Sequence, residues 1–239
     1  MGFAGNNPAP PPPSEFDGFA DEYDQALQNG LDLSGEKKDF FAQGRVNILA
    51  KMLEKPSLAR ILDYGCGTGS ATPHLRALPN VSAVIGVDIS NKSLDRARAT
   101  YQHLHVEFHN LSTLSQLGSF DLAFCNGVFH HIPISERLRS LSQIYHALKP
   151  NGLFAFWENN PWNLGTRWVM SRIPFDRGAI MLWPRGARRL LSQAGFEIIL
   201  THYAFIFPKP LEFLRFAEWP LRNLPLGAQY MLLAQKRKP

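Results

Sequence analysis

The sequence contains little cysteine and no long apolar run. Its 239 residues include two cysteines, Cys66 and Cys125, and both are predicted to lie at strand ends inside the core. We therefore expect reduced thiols rather than a disulfide. No stretch approaches the roughly eighteen apolar residues of a membrane-spanning helix. The first residues lack lysine, arginine and an apolar segment, so we expect no secretory signal and a cytoplasmic protein.

Composition and charge set further limits. Hydrophobic residues make up 45% of the chain, which is enough to bury the core of one α/β domain. The formal net charge is +5, which permits an anionic partner without requiring one. Residues 1–15 are rich in proline and predict a disordered tail. Residues 16–239 are predicted to form a single domain that starts with helices.

A glycine-rich turn organises the start of this domain. Residues 61–64 are apolar or aromatic apart from one acid, which predicts a buried parallel strand. Three glycines at alternating positions follow, namely Gly65, Gly67 and Gly69. Thr72-Pro73 is then typical of a helix start. A strand, a glycine turn and a helix together direct backbone N–H groups at a ligand.

Strands and helices alternate after this turn, which predicts a parallel sheet with crossover helices. The later predicted strands are 84–88, 104–109, 120–126, 153–157, 196–207 and 229–234. A helix is predicted at 34–53, before the first strand. Further helices are predicted at 90–101, 135–148, 162–175 and 184–194.

The glycine stretch resembles motif I of the class I S-adenosylmethionine-dependent methyltransferases. That motif is an acid, any residue, and then Gly-x-Gly-x-Gly, which here begins at Asp63 and ends at Gly69. The nicotinamide-binding pattern also has glycines after a first strand. It requires its third small residue one place later, at Ser70, so the spacing favours the methyltransferase pattern.

Later motifs resemble the same family and follow in its order. Residues 120–132 (FDLAFCNGVFHHI) resemble its strand-four motif, and residues 148–156 (LKPNGLFAF) its turn and strand-five motif. Residues 194–200 and 228–236 resemble its closing antiparallel hairpin. The resemblance covers about residues 35–239. It implies a Rossmann-like α/β fold with a seven-stranded, mostly parallel sheet, an antiparallel last strand and helices on both faces.

The resemblance implies S-adenosylmethionine as the cofactor. Asp88 ends the second strand, where an acid can accept both ribose hydroxyls, and a helix cap before Ser90 is the alternative. Asn110 stands where the family usually has an acid near the adenine, and an amide can still bond that edge. The cofactor-binding residues that we predict are Asp63, Gly65, Cys66, Gly67, Gly69, Asp88, Ile89, Asn110 and Asn126.

Three residues are candidates for proton abstraction from an acceptor. His130 and His131 follow strand four, and Glu158 follows strand five, at the edge where ligands bind such sheets. The alternatives are framework packing beside the cofactor for the histidines and a loop cap for Glu158. No Cys, Asp or Glu stands near the histidines at metal-ligand spacing in the sequence, so no metal site is predicted.

Two late insertions, at about 159–183 and 203–226, bear on the acceptor. They combine arginines with many aromatic residues: Trp162, Trp168, Trp183, Phe205, Phe207, Phe213, Phe216 and Trp219. This mixture predicts an apolar roof over an acceptor with an anionic group, or a patch that contacts a membrane surface. Simple coverage of one end of the sheet is the competing explanation.

The predicted function is methyl transfer to a small or medium, partly apolar acceptor that is lipid-like or anionic. Oxygen is the first expected acceptor atom, followed by carbon or nitrogen. Nucleic acid is disfavoured, because Asn126-Gly127-Val128-Phe129 replaces the Asn-Pro-Pro-aromatic sequence of nucleic-acid methyltransferases. A non-catalytic S-adenosylmethionine-binding partner protein and a nicotinamide-dependent oxidoreductase remain as alternatives.

Overall fold

The structure, a computed structural model, describes residues 17, 23–53, 58–176 and 178–237. The predicted proline-rich tail lies outside the described residues. Within the described part of the chain, no helix combines the length and apolarity needed to cross a bilayer.

Strands and helices alternate along the chain as the sequence predicts. The strands are β1 (Arg60–Tyr64), β2 (Ala83–Asp88), β3 (Glu107–Asn110), β4 (Phe120–Asn126), β5 (Leu148–Asn159), β6 (Phe196–Ala204) and β7 (Gln229–Lys236). The helices are α1 (Tyr23–Leu31), α2 (Lys38–Met52), α3 (Thr72–Arg76), α4 (Asn91–Tyr101), α5 (Ile134–Ala147), α6 (Leu164–Arg172), α7 (Pro184–Gln193) and α8 (Glu218–Leu221).

The seven strands form one sheet in the order β3-β2-β1-β4-β5-β7-β6. The pairs from β3 to β5 are all parallel. Strand β7 runs antiparallel to both β5 and β6. This arrangement confirms the predicted Rossmann-like sheet with an antiparallel last strand.

Helices cover both faces of the sheet, because successive side chains of a strand point to opposite faces. Ile61 belongs to a buried cluster that includes residues of α2 and α3. Its neighbour Leu62 belongs to a second cluster that includes residues of α5 and α7. Both side chains are fully buried, so β1 runs through the centre of the core.

Three predicted strands differ from the structure by three or more residues at one end. The fifth strand is predicted at 153–157, but β5 begins at Leu148, because Leu148 already pairs with Phe120 of β4. The third strand is predicted from residue 104, but β3 begins at Glu107 because His105 has a left-handed φ of 49°. The sixth strand is predicted to reach Phe207, but β6 ends at Ala204 because Phe205 has a φ of 61°. That left-handed turn redirects the chain towards the carboxyl edge of the sheet.

Two connections lie over this edge. We call residues 160–183 the first cover segment and residues 205–228 the second. Asn163 Nδ2 in the first segment donates to the carbonyl of Leu226 in the second, at 2.8 Å. The guanidinium of the buried Arg137 donates to the carbonyl of Ile180 at 2.8 Å. The hydroxyl of Tyr230 donates to the carbonyl of Leu182 at 2.9 Å. The two segments are therefore joined to each other and to the sheet.

Candidate active site

A cavity of about 370 Å³ lies at the carboxyl ends of the central strands. One wall is the glycine turn after β1, and further lining residues come from α2, α6 and the second cover segment. Of the nine predicted cofactor residues, five line this cavity: Asp63, Gly65, Cys66, Gly67 and Asn126. The others lie beside the turn rather than in the cavity wall.

The glycine turn depends on backbone conformations that other residues resist. Gly65 has a φ of 70°, and a Cβ there would collide with the side chain of Val128. Gly67 has a φ of 53°, and a Cβ there would meet no protein atom within 4 Å. The Gly67 backbone therefore faces open space on the cavity side, where a ligand can approach closely.

Asp88 holds this turn in place. Its Oδ2 accepts from the backbone N–H of Gly67 at 2.8 Å, and its Oδ1 accepts from that of Ser90 at 2.9 Å. Burial raises the pKa of the Asp88 carboxyl, and these backbone donors oppose the rise. Asp88 thus bonds both the glycine turn and Ser90, and the Ser90 hydroxyl in turn caps α4 by accepting from the backbone N–H of Ser93. Ribose binding by Asp88 stays a prediction.

The remaining predicted positions extend from Asp88 along the ends of the strands. The side chain of Ile89 is 48% exposed. Asn110 Nδ2 donates to Asn91 Oδ1 at 2.9 Å, and its Oδ1 accepts from the backbone N–H of Ser112 at 3.1 Å. Asn110 therefore caps its own turn. Asp17, which the sequence analysis did not single out, accepts from the Ser90 hydroxyl at 2.7 Å.

The cavity wall contains a buried acid, Asp63, and a half-buried amide, Asn126. Asp63 accepts a hydrogen bond from the Thr72 hydroxyl at 2.8 Å, and burial raises the pKa of its carboxyl to about 7. Asn126 Oδ1 is buried and has no hydrogen-bond partner among the described residues. The wall therefore offers an acid and an unused acceptor beside the glycine turn.

The two histidines and Glu158 form one connected group. His130 Nδ1 lies 2.6 Å from Glu158 Oε2, and Glu158 Oε1 accepts from the backbone N–H of Phe129 at 2.8 Å. A fourth residue, Asp176, completes the group from the first cover segment. Its Oδ1 lies 3.5 Å from His130 Nε2 and 3.2 Å from His131 Nε2.

The electrostatics distinguish members of this group. Burial opposes charge on His130, but Glu158 and Asp176 outweigh it and raise the His130 pKa to about 10. Burial alone would raise the Asp176 pKa, yet the hydrogen bonds from both histidines hold it below its usual value. At neutral pH His130 is therefore an imidazolium between two carboxylates.

Asp176 is the member that the sequence analysis missed. The metal prediction assumed that no acid lies near the histidine pair, and the fold supplies one from far along the chain. Ligand atoms of His130, His131 and Asp176 all lie within 4.8 Å of one another. No local signal marks Asp176, because only the tertiary fold brings the first cover segment back over β4 and β5.

The cover side of the cavity mixes apolar and cationic side chains. Helix α6 contributes Val169 and Met170, Ile173 follows as its C-cap residue, and the second cover segment contributes Phe205 and Phe207. This apolar lining belongs to the same cavity as the glycine turn.

Three cations also line the cavity, namely Lys38, Arg45 and Arg215. Arg45 Nε donates to Gln229 Oε1 at 2.8 Å. Arg215 pairs with Glu36 at 2.8 Å and lies over the ring of Phe40, 4.5 Å from its centroid. These contacts fix the positions of the two guanidinium groups.

The eight aromatic residues that were predicted to form a roof fall into two sets, those that line the cavity and those that are exposed. Phe205 and Phe207 line the cavity. The other six are 39–80% exposed: Trp162, Trp168, Trp183, Phe213, Phe216 and Trp219. Most of the aromatic surface of the cover segments therefore faces away from the cavity.

Comparisons with known proteins agree with this fold. A family model described as a methyltransferase domain matches residues 61–152. A putative methyltransferase of Geobacillus sp. is 35% identical over 112 residues, which cover 44% of each chain. A trans-aconitate 2-methyltransferase of Deinococcus radiodurans is 34% identical over 110 residues, covering 46% of this chain and 41% of the relative. The chain thus spans less than half the length of these two relatives.

A solved structure extends the comparison to almost the whole chain. The TehB-like S-adenosylmethionine-dependent methyltransferase of Corynebacterium glutamicum superposes with a TM-score of 0.63 at 18% identity, covering 92% of this chain and 99% of the other. At 18% identity, this likeness shows a shared fold and nothing about the acceptor. The methyltransferase domain match, the relatives and the shared sheet together support a class I S-adenosylmethionine-dependent methyltransferase.

Proposed function

We propose that the protein transfers the methyl group of S-adenosylmethionine to an acceptor with an apolar body and an anionic group. The observation that supports this proposal is the cavity, which is lined by the glycine turn, by apolar side chains, and by Lys38, Arg45 and the Arg215–Glu36 ion pair. A methyltransferase must hold the cofactor and the acceptor side by side and exclude water from both. One cavity with two chemically different walls suits that requirement.

The residues of the first wall fit the cofactor. Gly67 leaves open the space that a Cβ would occupy, and Asn126 Oδ1 is a buried acceptor without a partner among the described residues. Asp88 lies directly behind the turn, with Ile89 and Asn110 beyond it. We assign these residues to cofactor binding, together with Asp63, Gly65, Cys66 and Gly69. When bound, the cofactor supplies an activated methyl group on a sulfonium.

The second wall suits the acceptor. Val169, Met170, Ile173, Phe205 and Phe207 can pack against an apolar body, which gains free energy by leaving water. Arg45 and Arg215 can bind a carboxylate or another anion. Trans-aconitate, the acceptor named for the Deinococcus relative, also carries carboxylates, and a carboxylate oxygen is the first acceptor atom that we propose.

The residues of the histidine group have two different proposed roles, structural support and proton abstraction. Glu158 is 1% exposed and His130 is 4% exposed, and they bind each other, so we assign them a structural role. His131 lines the cavity, and its contact with Asp176 fixes the ring. We propose that His131 takes the acceptor proton when the acceptor is a hydroxyl or a carbon acid. A carboxylate acceptor needs no base.

The proposed function is tested with methyl-labelled S-adenosylmethionine and a panel of acceptors. The panel contains trans-aconitate, longer apolar carboxylates and neutral analogues of both. We expect label transfer to the apolar carboxylates and little transfer to the neutral analogues. Label transfer to neutral compounds alone would contradict the proposed acceptor class.

Calorimetry distinguishes the alternative functions. We expect binding of S-adenosylmethionine and of its demethylated product, and no binding of NAD. Tight NAD binding would instead support the oxidoreductase. Cofactor binding without label transfer to any extracted metabolite would support a non-catalytic partner protein.

Replacement of His131 tests its role. With a hydroxyl acceptor, His131→Ala should lower kcat by about 100-fold or more and leave cofactor affinity unchanged. His103→Ala, in the turn after α4, is the control, and it should retain full turnover. A normal rate in His131→Ala excludes the base. If dialysis of the wild-type protein against a chelator abolished turnover and zinc restored it, His130, His131 and Asp176 would instead be metal ligands.

A further inference from the structure

The outer side of the first cover segment is unusually apolar for a surface. Helix α6 presents Leu164, Trp168 and Arg172 at intervals of four residues, so they share one face of the helix. Leu164 is 76% exposed and Trp168 is 39% exposed. The inner face of the same helix lines the cavity, so α6 separates the cavity from this outer face.

Neighbouring residues extend this face. Trp162 packs edge-on against Trp183 with ring centroids 4.9 Å apart, and both indoles are at least half exposed. Leu226, from the second cover segment, is 50% exposed, and its carbonyl accepts a hydrogen bond from Asn163. These contacts join the two segments, and we call their exposed apolar side chains together the outer face.

The second cover segment repeats the same arrangement. Its residue Arg215 lines the cavity, whereas Phe213 is 68% exposed and Phe216 is 80% exposed. Both segments therefore direct one side into the cavity and expose aromatic side chains on the other. Exposed aromatic groups of this size mark contact surfaces rather than ordinary protein surface.

The charge of the outer face favours an anionic partner. Residues 159–175 contain Arg167 and Arg172 and no acid, and the chain carries a net charge of +5. The guanidinium of Arg172 lies 3.8 Å from the centroid of the Trp168 ring. The second segment contains two acids and three cations. Glu218 accepts from the backbone N–H groups of Ile206 and Phe207, whereas Glu212 is exposed beside Phe213.

We infer that the outer face docks on an anionic lipid bilayer. Tryptophan, phenylalanine and leucine side chains enter the headgroup region, while arginines bind lipid phosphates. Docking would place the cover segments, and the cavity beneath them, against the bilayer. The inference rests on the proposed function in one respect, because a docked cover would give a lipid-like acceptor a short path into the cavity.

Vesicle sedimentation tests the inference. We expect the protein to sediment with vesicles of phosphatidylcholine and phosphatidylglycerol, but not with phosphatidylcholine alone, and added salt should weaken binding. The double variant Arg167→Glu/Arg172→Glu should reduce partitioning by more than tenfold, since each basic residue contributes about fivefold. Phe213→Ser/Phe216→Ser should reduce it about tenfold.

Two exposed positions away from the cover segments serve as controls. Ile199 on β6 is 50% exposed, and the side chain of Arg139 on α5 is 78% exposed. Ile199→Ser and Arg139→Glu should leave vesicle binding unchanged. Equal losses in the controls would overturn the inference, and so would sedimentation that is independent of phosphatidylglycerol.

Self-association is the other outcome that would overturn it. If the protein forms a dimer in sedimentation velocity, ignores vesicles, and becomes monomeric in Phe213→Ser/Phe216→Ser, the outer face is an interface between two copies. Cofactor affinity and label transfer are measured on every variant. Cofactor binding and turnover without vesicle binding reject docking alone, whereas vesicle binding without turnover rejects the proposed function alone.

Discussion

The two walls of the cavity are built in different ways. The glycine-turn wall consists largely of backbone, and Asp88 holds its conformation by accepting from the N–H of Gly67. The cover wall consists of side chains on two segments that lie between strands of the sheet and are joined through Asn163. Changes in the first wall should therefore alter cofactor affinity, whereas changes in the second should alter the response to the acceptor.

The largest expected effect comes from Gly67→Val. The β-branched side chain would strain a φ of 53° and project into the cavity where the cofactor must approach, so affinity should fall by more than about 100-fold. Gly118→Val is the matched control, because Gly118 has a φ of 82° far from the cavity wall. Calorimetry on both folded variants distinguishes the effect of backbone strain from the effect of a side chain that blocks the cofactor. Equal cofactor affinity in the two would contradict the assignment of the turn.

Asp88→Ala should have the next largest effect. Hydrogen bonds to a charged acceptor contribute about 1.5–3 kcal/mol, so the loss should weaken cofactor binding by roughly ten- to a hundred-fold. Asp95→Ala is the control, since Asp95 pairs with Arg98 on the surface of α4. Unchanged calorimetric affinity in a folded Asp88→Ala protein would remove this residue from the site.

Phe207→Ala tests the cover wall. It should raise the acceptor KM about tenfold by removing apolar contact, and it should leave cofactor affinity unchanged. Phe213→Ala, in the same segment but 68% exposed, should change neither value for a water-soluble acceptor. Steady-state kinetics with both variants measures these values. Weaker cofactor binding in Phe207→Ala would contradict the assignment of this wall to the acceptor.

The smallest expected effect concerns pH and stability. The folded-state pKa of Asp63 is raised to about 7, so the folded protein binds a proton that the unfolded chain releases near pH 4. Wild-type stability should therefore fall, relative to Asp63→Asn, as the pH rises from about 4 to 7, and the difference should stay constant above that. We expect this difference to appear as a relative shift of the melting temperature in thermal melts.

Asp121→Asn is the control of opposite sign. Lys149 and two backbone N–H groups outweigh burial and lower the Asp121 pKa. The stabilisation from Asp121 should therefore be present at neutral pH and disappear on acidification. If both variants showed the same pH dependence, the burial argument for Asp63 would fail.

The sheet was predictable because its signals are local. Strand β4 has the predicted bounds, 120–126, since a short apolar run between turns determines it. The left-handed backbone at His105 and Phe205 gave no comparable signal, because neither residue favours that conformation as glycine does. These two residues account for the differences at β3 and β6.

The candidate site was predictable only in its first wall. Glycine spacing is visible in the sequence, whereas the contact between His131 and Asp176 depends on the path of the first cover segment. For the same reason, the sequence could not show which aromatic side chains of the cover segments face the cavity and which face outward. Helical spacing assigns Trp168 to the same face as Leu164, but only the packed structure shows that this face is the outer one.

The position of Asp176 limits how such a protein could acquire a new acceptor. The first cover segment contributes lining residues from α6 and also the carboxylate that faces His130 and His131. A cover transplanted from a relative would change the lining, but it would leave a buried imidazolium with one counter-charge unless it supplied its own acid. With α6 in its proposed acceptor-binding role, we expect acceptor preference to change more readily by single substitutions on α6 than by replacement of the whole segment.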